Sequence, residues 1–249
     1  MTGWPTGYGF RILNKVDSTL SEAVRIIPEL SGPEWILAHA QTKARGRRGR
    51  SWSMTAGNFA ATLVLSLNEP PSRAALRSFV AALALRDSLV AVTGHNDAFA
   101  LKWPNDVLLE GGKVAGILLE SVKTGPKALS LAIGIGVNLV KAPSLEAVEA
   151  GAVLPISLKG RLGIEVKAEA FLNVLAQAYA YRETQFVTYG FPPIRVAWLA
   201  HAARLGQHIK ARTAKETYYG TFADVDVDGQ LVLETSKGRV TIPAGDVYF

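Results

Sequence analysis

The chain has 249 residues, of which 49% are hydrophobic and 19% charged, as in a globular protein with a sizeable core. It contains no cysteine, which excludes disulfides, thiolate metal sites and cysteine nucleophiles. The formal net charge is +6, but residues 41–50 alone carry five basic and no acidic side chains, so a broad nucleic-acid-binding face is not expected.

Hydrophobic periodicity and turn residues divide most of the chain into alternating strands and helices. Thr19 and Glu22 have the spacing of a capping box, which predicts a helix that ends near Pro28. Residues 110–112 have the composition of a hairpin turn. The other predicted elements, in chain order, are a strand at 35–40, a loop at 42–51, a strand at 58–67, a helix at 73–92, strands at 98–103, 107–109, 114–121 and 129–139, and helices at 165–189 and 191–201.

The pattern changes near Leu205, after which only short strands are predicted. They lie at 209–212, 217–227, 231–235 and 240–242, and Asp228-Gly229 predicts a type I′ hairpin turn. We therefore expect an α/β (α+β) fold with a mixed sheet backed by helices in residues 1–204. Residues 205–249 are expected to form a small antiparallel barrel that packs on this larger domain.

Two features bear on export and membrane insertion. The first ten residues lack the basic and apolar segments of a secretory signal. The most apolar helical stretch, residues 79–92, is interrupted by Arg86 and Asp87 and is too short to cross a bilayer. We therefore expect a cytoplasmic protein that does not enter the membrane.

Several well-known catalytic motifs are missing from the sequence. There is no P-loop, no HExxH and no GxSxG, and the run that begins Gly134-Ile135-Gly136 lacks the third glycine of a dinucleotide-binding fingerprint. Hydride transfer, zinc proteolysis and serine hydrolysis are therefore not expected.

The segment from Arg45 to Trp52 interleaves arginines with glycines and ends in a tryptophan. Glycines let a backbone turn its N–H groups towards an anion, and arginines add forked cationic donors that suit phosphate and carboxylate. Trp52 offers a flat face for stacking. A solvated basic loop or an RNA-contacting tract is the alternative interpretation of the arginine–glycine run alone.

Three further segments combine polar residues with strand patterns. Asn105 and Asp106 follow a proline at a strand end, where they could contact a nucleotide or a cation, although this is also ordinary turn chemistry. Lys113 begins an apolar strand in which Gly116 indicates the close approach of a ligand or another backbone. Gly134 and Gly136 alternate on one strand face, and Asn138 follows; tight sheet packing would explain them equally well.

In this order and spacing, the motifs closely resemble the biotin–protein ligase family, called holocarboxylase synthetase in eukaryotes. The matching segments are the arginine–glycine loop ending in Trp52, then KWPND at 102–106, GKVAGIL at 112–118 and GIGVN at 134–138. The resemblance implies a catalytic domain related to class II synthetases and lipoate ligases, followed by a barrel of the Src-homology-3 type.

The resemblance, together with the charges of the substrates, assigns roles to individual residues. The expected biotin-binding residues are Ser18, Thr19, Gln41, Arg45, Gly46, Arg47, Lys113, Gly116, Gly134 and Gly136. The expected ATP and adenylate contacts are Arg47, Arg50, Trp52, Asn105, Asp106, Lys113 and Asn138. The expected catalytic residues are Lys113, Arg47, Arg50 and Asp106, with Asp106 also holding Mg²⁺.

Two positions depart from the family pattern. Leu20 stands where an asparagine is usual, and Ala44 stands where the loop usually begins with glycine. A side-chain contact is lost at the first position. At the second, an alanine would be strained if the backbone required a positive φ.

The reaction implied is ATP-dependent activation of biotin to biotinyl-AMP and transfer to a lysine of a carrier, the biotin carboxyl carrier subunit of acetyl-CoA carboxylase. Only sixteen residues precede Asp17, so the helix-turn-helix of many relatives is expected to be absent and no DNA binding is expected. Many relatives form homodimers. The alternatives are a lipoate–protein ligase, a non-catalytic biotin-binding module and a nucleic-acid-binding protein.

Overall fold

A seven-stranded mixed sheet forms the centre of the computed structural model, which describes residues 3–123, 129–144, 148–149 and 151–249. The strand order is β1-β2-β3-β7-β6-β5-β4; β1 and β2 run parallel and the other neighbours are antiparallel. The strands are β1 (Gly9–Leu13), β2 (Glu34–Ala38), β3 (Phe59–Leu67), β4 (Phe99–Lys102), β5 (Asp106–Leu109), β6 (Gly112–Lys123) and β7 (Leu129–Val137).

Helices cover both faces of this sheet. They are α1 (Thr19–Ile26), α2 (Pro71–Ala75), α3 (Arg77–Thr93), α4 (Leu158–Leu162), α5 (Ala168–Tyr189) and α6 (Phe191–Leu199). On β2, Trp35 joins the core beneath α3 and α5, whereas the next residue, Ile36, packs against α1 on the opposite face. Successive side chains of a strand point to opposite faces, so β2 and β3 read as continuous apolar runs because both faces are covered.

The C-terminal strands form a separate antiparallel sheet in the order β11-β10-β9-β8-β12. They are β8 (His208–Arg212), β9 (Thr217–Val225), β10 (Leu231–Thr235), β11 (Gly238–Ile242) and β12 (Asp246–Tyr248). The turn between β9 and β10 docks on the main body: the indole N–H of Trp103 donates to the carbonyl oxygen of Gly229 at 3.1 Å. A Cβ at Gly229 would lie 2.8 Å from Phe79 of α3, so only glycine permits this approach.

The predicted fold class is confirmed, with several corrections at the level of elements. β1, β12 and α4 were not predicted, and the helix expected at 73–92 is two helices that meet at Leu76. The boundary between residues 204 and 205 stays a prediction. Among the described residues, no helix combines the length and apolar character that crossing a bilayer requires.

Two predicted local motifs are wrong. Ser18 rather than Thr19 caps α1, and its side chain makes no capping bond, so there is no capping box. The Asp228-Gly229 turn is not type I′, because Gly229 has a positive φ and Asp228 does not. Asp226 organises this turn instead: its carbonyl accepts from Gly229 N at 3.1 Å, and its carboxylate accepts from the backbone N–H groups of Asp228 and Gln230.

A buried ionic cluster joins α3 to α5. Arg77 is only 2% exposed, and its guanidinium donates to both carboxylate oxygens of Glu183 at 2.7–3.1 Å and also pairs with Glu69. The Tyr179 hydroxyl donates to Glu183 at 3.1 Å. Burial, followed by the nearby Glu183 carboxylate, raises the pKa of Tyr179 well above its ordinary value.

We expect Glu183→Ala to lower the free energy of unfolding by about 3 kcal/mol, because it leaves the buried Arg77 with a single partner. Glu165→Ala is the matched control: Glu165 pairs with Lys159 at the exposed surface and its loss should cost less than about 1 kcal/mol. Denaturant unfolding followed by circular dichroism measures both. Equal destabilisation by the two variants would contradict the prediction.

Candidate active site

One cavity of about 780 Å³ lies between the main sheet and the C-terminal sheet. This volume is within the usual range for sites that enclose a small ligand. Its walls come from the start of α1, the loop before β3, the facing strands β6 and β7, the β4–β5 turn and β12. Among the described residues, seven basic and three acidic side chains line it, so the cavity carries an excess of four positive charges.

One wall of the cavity is a glycine surface on β6 and β7. Gly116 pairs with Gly136 across the strands, and Gly134 lies two residues along β7 on the same face. A Cβ at Gly136 would lie 2.6 Å from the Trp52 ring, and one at Gly134 would lie 2.9 Å from Leu20. The glycines therefore allow Trp52 and Leu20 to approach the strand backbone closely.

A short hydrogen-bond chain orders the start of α1. The Gln41 Oε1 accepts from the backbone N–H of Thr19 at 2.7 Å and from its hydroxyl at 3.1 Å. The Thr62 hydroxyl in turn donates to the Thr19 oxygen at 2.9 Å. Thr62 lies on β3 and was not identified from the sequence, where it is one residue within an apolar strand.

Two lysines share one carboxylate beside the β4–β5 turn, where the Trp103–Pro104 peptide bond is cis. The Asp106 Oδ1 lies 2.6 Å from the Lys113 Nζ, and its Oδ2 lies 3.7 Å from the Lys102 Nζ. Burial alone would raise the pKa of Asp106, but Lys113 and Lys102 lower it below its usual value. Burial lowers the pKa of Lys102, against the opposing effect of Asp106. The result is an ionised carboxylate between two amines.

Two asparagines present amide groups to the cavity. Asn105 donates to the carbonyl oxygen of Ile117, and its Oδ1 lies 3.4 Å from the Arg47 guanidinium. The Asn138 Nδ2 donates to the carbonyl oxygen of Ile156 at 3.1 Å, while its Oδ1 is buried and has no hydrogen-bond partner among the described residues. A buried carbonyl oxygen without a partner is costly, which indicates a donor on a bound ligand.

Backbone hydrogen bonds close the base of the arginine–glycine loop, and side-chain contacts of its arginines hold the tip. The backbone N–H of Trp52 donates to the carbonyl oxygen of Ala44 at 3.0 Å, and that of Gly46 donates to Arg50 at 2.7 Å. Ala44 is not among the residues with positive φ, so alanine is unstrained there. Positive φ occurs instead at Arg48 and Gly49, within the turn at the loop tip.

Acidic residues from other elements hold the loop arginines. Glu120 on β6 accepts two hydrogen bonds from Arg45 at 3.0 and 2.7 Å. The Asp246 carboxylate accepts from Arg48 at 2.8 Å and from Arg50 at 2.7 Å. Arg47 donates to the carbonyl oxygen of Gly245 at 3.1 Å and lies 3.4 Å from Asp246.

The structure brings every predicted site residue to this one cavity, including Ser18, Gly46 and Arg50. Proximity does not assign roles, so the individual biotin, nucleotide and metal roles stay predictions. Polar residues of the lining to which the sequence analysis gave no role include Lys102, Glu149, Arg212, Asp246 and Tyr248. The available signal was the excess charge of the loop, because a loop with five basic residues requires carboxylates from elsewhere.

Comparisons with known proteins agree with this arrangement. Residues 11–138 match the Biotin/lipoate A/B protein ligase family, and residues 205–249 match the Biotin protein ligase C terminal domain. The chain is 53% identical over 238 residues to the biotin–[acetyl-CoA-carboxylase] ligase of Paracoccus denitrificans, covering 96% of this chain and 99% of that protein. It is 28% identical to the bifunctional ligase/repressor BirA of Bacillus subtilis, covering 95% and 73% of the two chains.

Solved structures show the same fold. The biotin protein ligase from Aquifex aeolicus in complex with biotin and ATP has a TM-score of 0.79 at 24% identity, covering 96% of this chain and 97% of that one. The ligase from Leishmania major in complex with biotinyl-5-AMP has a TM-score of 0.63 at 20% identity, covering 96% and 100%. From the matched segments and the identity over almost its full length, the chain belongs to the biotin/lipoate A/B protein ligase family.

Proposed function

We propose that this chain is an ATP-dependent biotin–protein ligase, which converts biotin to biotinyl-AMP and transfers the biotinyl group to a lysine of a biotin carboxyl carrier protein. The observation that carries the proposal is the position of Lys113. Its ammonium is fixed at 2.6 Å from Asp106, beside the glycine surface and within the same cavity as the arginine loop. A carboxylate and a phosphate can be brought together there.

The first half-reaction joins two anions. A biotin carboxylate oxygen attacks the α-phosphorus of ATP, the bond to the β-phosphate oxygen breaks, and pyrophosphate leaves. Repulsion between carboxylate and phosphate is reduced by fixed cations, and Lys113, Arg47 and Arg50 are the side chains we assign to this role. No enzyme nucleophile is required, in accord with a chain that has no cysteine.

We assign one side of the cavity to biotin and the other to the adenine of ATP. Ser18, Thr19, Gln41 and the glycines of β6 and β7 form the side assigned to biotin, and Leu20 contributes an apolar surface there. Trp52 and Asn138 belong to the side assigned to adenine. The buried Asn138 Oδ1 supports this assignment, because an exocyclic amino group of adenine would supply the donor it lacks.

Biotinyl-AMP is a mixed anhydride and is lost if water reaches it. The arginine–glycine loop lines the cavity, where Arg48 and Arg50 donate to Asp246 of β12 and Arg47 donates to the carbonyl oxygen of the preceding Gly245. We assign to this loop the role of keeping water from the intermediate until the carrier arrives. In the second half-reaction the amine of the carrier lysine attacks the acyl carbon, the acyl–phosphate bond breaks, and AMP leaves.

Magnesium is proposed to enter with ATP rather than to reside in the protein. Among the described residues, no group of three or more His, Asp, Glu or Cys side chains could hold a metal ion. Mg²⁺ is commonly bound by one or two carboxylates and the substrate phosphates, and Asp106 fits the role of the single carboxylate. The ion would neutralise phosphate charge. A homodimer remains an expectation from the family, and a cytoplasmic location remains an expectation from the sequence.

The alternatives are less well supported. A nucleic-acid-binding protein would present its basic side chains on an open face, whereas here the four loop arginines line a cavity of about 780 Å³ that suits a small ligand. A lipoate–protein ligase is disfavoured by the match of residues 205–249 to the C-terminal domain of biotin protein ligases. ATP–pyrophosphate exchange with biotin compared with lipoate tests the choice directly.

We expect Lys113→Ala to reduce biotin-dependent ATP–pyrophosphate exchange by about 10²–10³-fold, the usual effect of removing one charge-stabilising group. Because Lys113→Ala also removes the nearest partner of the buried Asp106, circular dichroism must first show that the variant is folded at the assay temperature. Lys159→Ala, at an exposed pair with Glu165, is the control and should retain exchange. Exchange at the normal rate in Lys113→Ala would rule out the proposed role.

We expect Arg47→Gly to release biotinyl-AMP about tenfold faster or more, since hydrogen bonds from a charged group contribute about 1.5–3 kcal/mol. The readout is biotin labelling of a bystander protein that is not a carrier. Lys43→Gly is the control in the same basic segment: Lys43 is exposed and does not line the cavity, so this variant should retain biotinyl-AMP as wild type does. If Arg47→Gly labels bystander lysines no more than wild type does, Arg47 does not retain the intermediate.

A further inference from the structure

Lys102 is a buried cation to which the reaction described above gives no role. It is the last residue of β4, is 7% exposed and lines the cavity. Its Nζ lies 3.7 Å from the Asp106 Oδ2 and 5.6 Å from the centre of the Phe249 ring. Among the described residues, no acceptor lies within hydrogen-bonding distance of its ammonium.

Such an arrangement is costly for the protein alone. A buried ammonium requires an anion and hydrogen-bond acceptors to offset the loss of water. Asp106 supplies only part of the negative charge that the Lys102 ammonium requires, because its other oxygen is held by Lys113 at 2.6 Å. An anionic ligand in the cavity would supply the missing acceptors.

Resting on the proposed function, we propose that Lys102 provides a subsite for the β- and γ-phosphates of ATP, and so for inorganic pyrophosphate, with Arg47 between this subsite and the α-phosphate. The two lysines lie on opposite oxygens of Asp106. Lys113 lies 5.7 Å from the Trp52 ring centre, on the side of the glycine surface, whereas Lys102 lies near Phe249 of the C-terminal segment. Arg47 reaches the same segment through Gly245.

The positions therefore place cations in sequence along a triphosphate. We assign Lys113 and Arg47 to the point where the carboxylate and α-phosphate meet, and Lys102 lies on the other side of Asp106, near Phe249. When the bond between the α-phosphorus and the bridging oxygen breaks, its electron pair remains on pyrophosphate. Lys102 stabilises that negative charge by position, and no proton transfer is required.

The alternative is that Lys102 only supports the fold by holding Asp106 and packing against Phe249. The two half-reactions separate these roles, because transfer from preformed biotinyl-AMP involves no β- or γ-phosphate. The test compares wild type with Lys102→Met and Lys102→Arg, and uses Lys159→Met as an exposed control. The measurements are the KM for ATP, inhibition by inorganic pyrophosphate, biotin affinity, and transfer from supplied biotinyl-AMP to the carrier.

We expect Lys102→Met to raise the KM for ATP and the inhibition constant of pyrophosphate by at least about tenfold, the loss of one charged hydrogen bond. Biotin affinity and transfer from biotinyl-AMP should match wild type, and Lys102→Arg should recover part of the pyrophosphate inhibition. If Lys102→Met does not fold, the same comparison is made between Lys102→Arg and wild type, where a smaller rise confined to ATP and pyrophosphate is expected.

A variant that loses transfer from biotinyl-AMP as severely as ATP use would make Lys102 structural and overturn the subsite. Unchanged pyrophosphate inhibition would overturn it as well. Failure of the proposed function looks different: wild type itself would then show no biotin-dependent ATP–pyrophosphate exchange.

Discussion

Three arginines of one loop converge on the carboxylate of Asp246, and Arg50 also pairs with Glu149. Arg48 and Arg50 donate to the Asp246 Oδ2, and Arg47 lies 3.4 Å from its Oδ1. Because Asp246 belongs to β12 and the loop precedes β3, this interaction joins the C-terminal sheet to the cavity of the larger sheet. A carboxylate shared among three cations cannot neutralise them all, so the loop is fixed in position and yet remains attractive to an anion.

Asp106 likewise shares one carboxylate between two cations. One buried carboxylate serves Lys113 and Lys102, and burial makes both interactions stronger than they would be in water. The glycines of β6 and β7 bring the Trp52 ring against the strands, so the cations lie beside an aromatic surface instead of open solvent. The site therefore combines an excess of positive charge with close packing of the Trp52 ring on β6 and β7. The arginine–glycine loop lines the same site.

The sequence predicted β2 to β7 of the central sheet, its long helices and the motif residues that line the cavity, because each is encoded locally. β3 and β7 are long apolar runs, and the glycine, lysine and asparagine positions are fixed by spacing along single strands. β1 and β12 were missed because they are edge strands of five and three residues, too short for a clear period-two pattern. Asp246 and Thr62 were missed because their partners are far away in the chain, and pairing at that distance leaves no local pattern.

The capping box and the type I′ turn were predicted from local residues alone, and both positions also make contacts that the local pattern does not show. At the Asp228-Gly229 turn these contacts add to the hydrogen bonds of Asp226. The backbone N–H of Thr19 and its hydroxyl are taken by Gln41, which aligns the start of α1 with the cavity. Gly229 is positioned by the close approach of Phe79 and the hydrogen bond from Trp103, the residue after Lys102. The turn that departs from its local preference therefore docks the C-terminal sheet against the strand end that carries Lys102, and it does so on the side where Phe249 covers that lysine. Of the two local motifs that were wrongly predicted, one therefore joins the two sheets and the other lines the charged cavity.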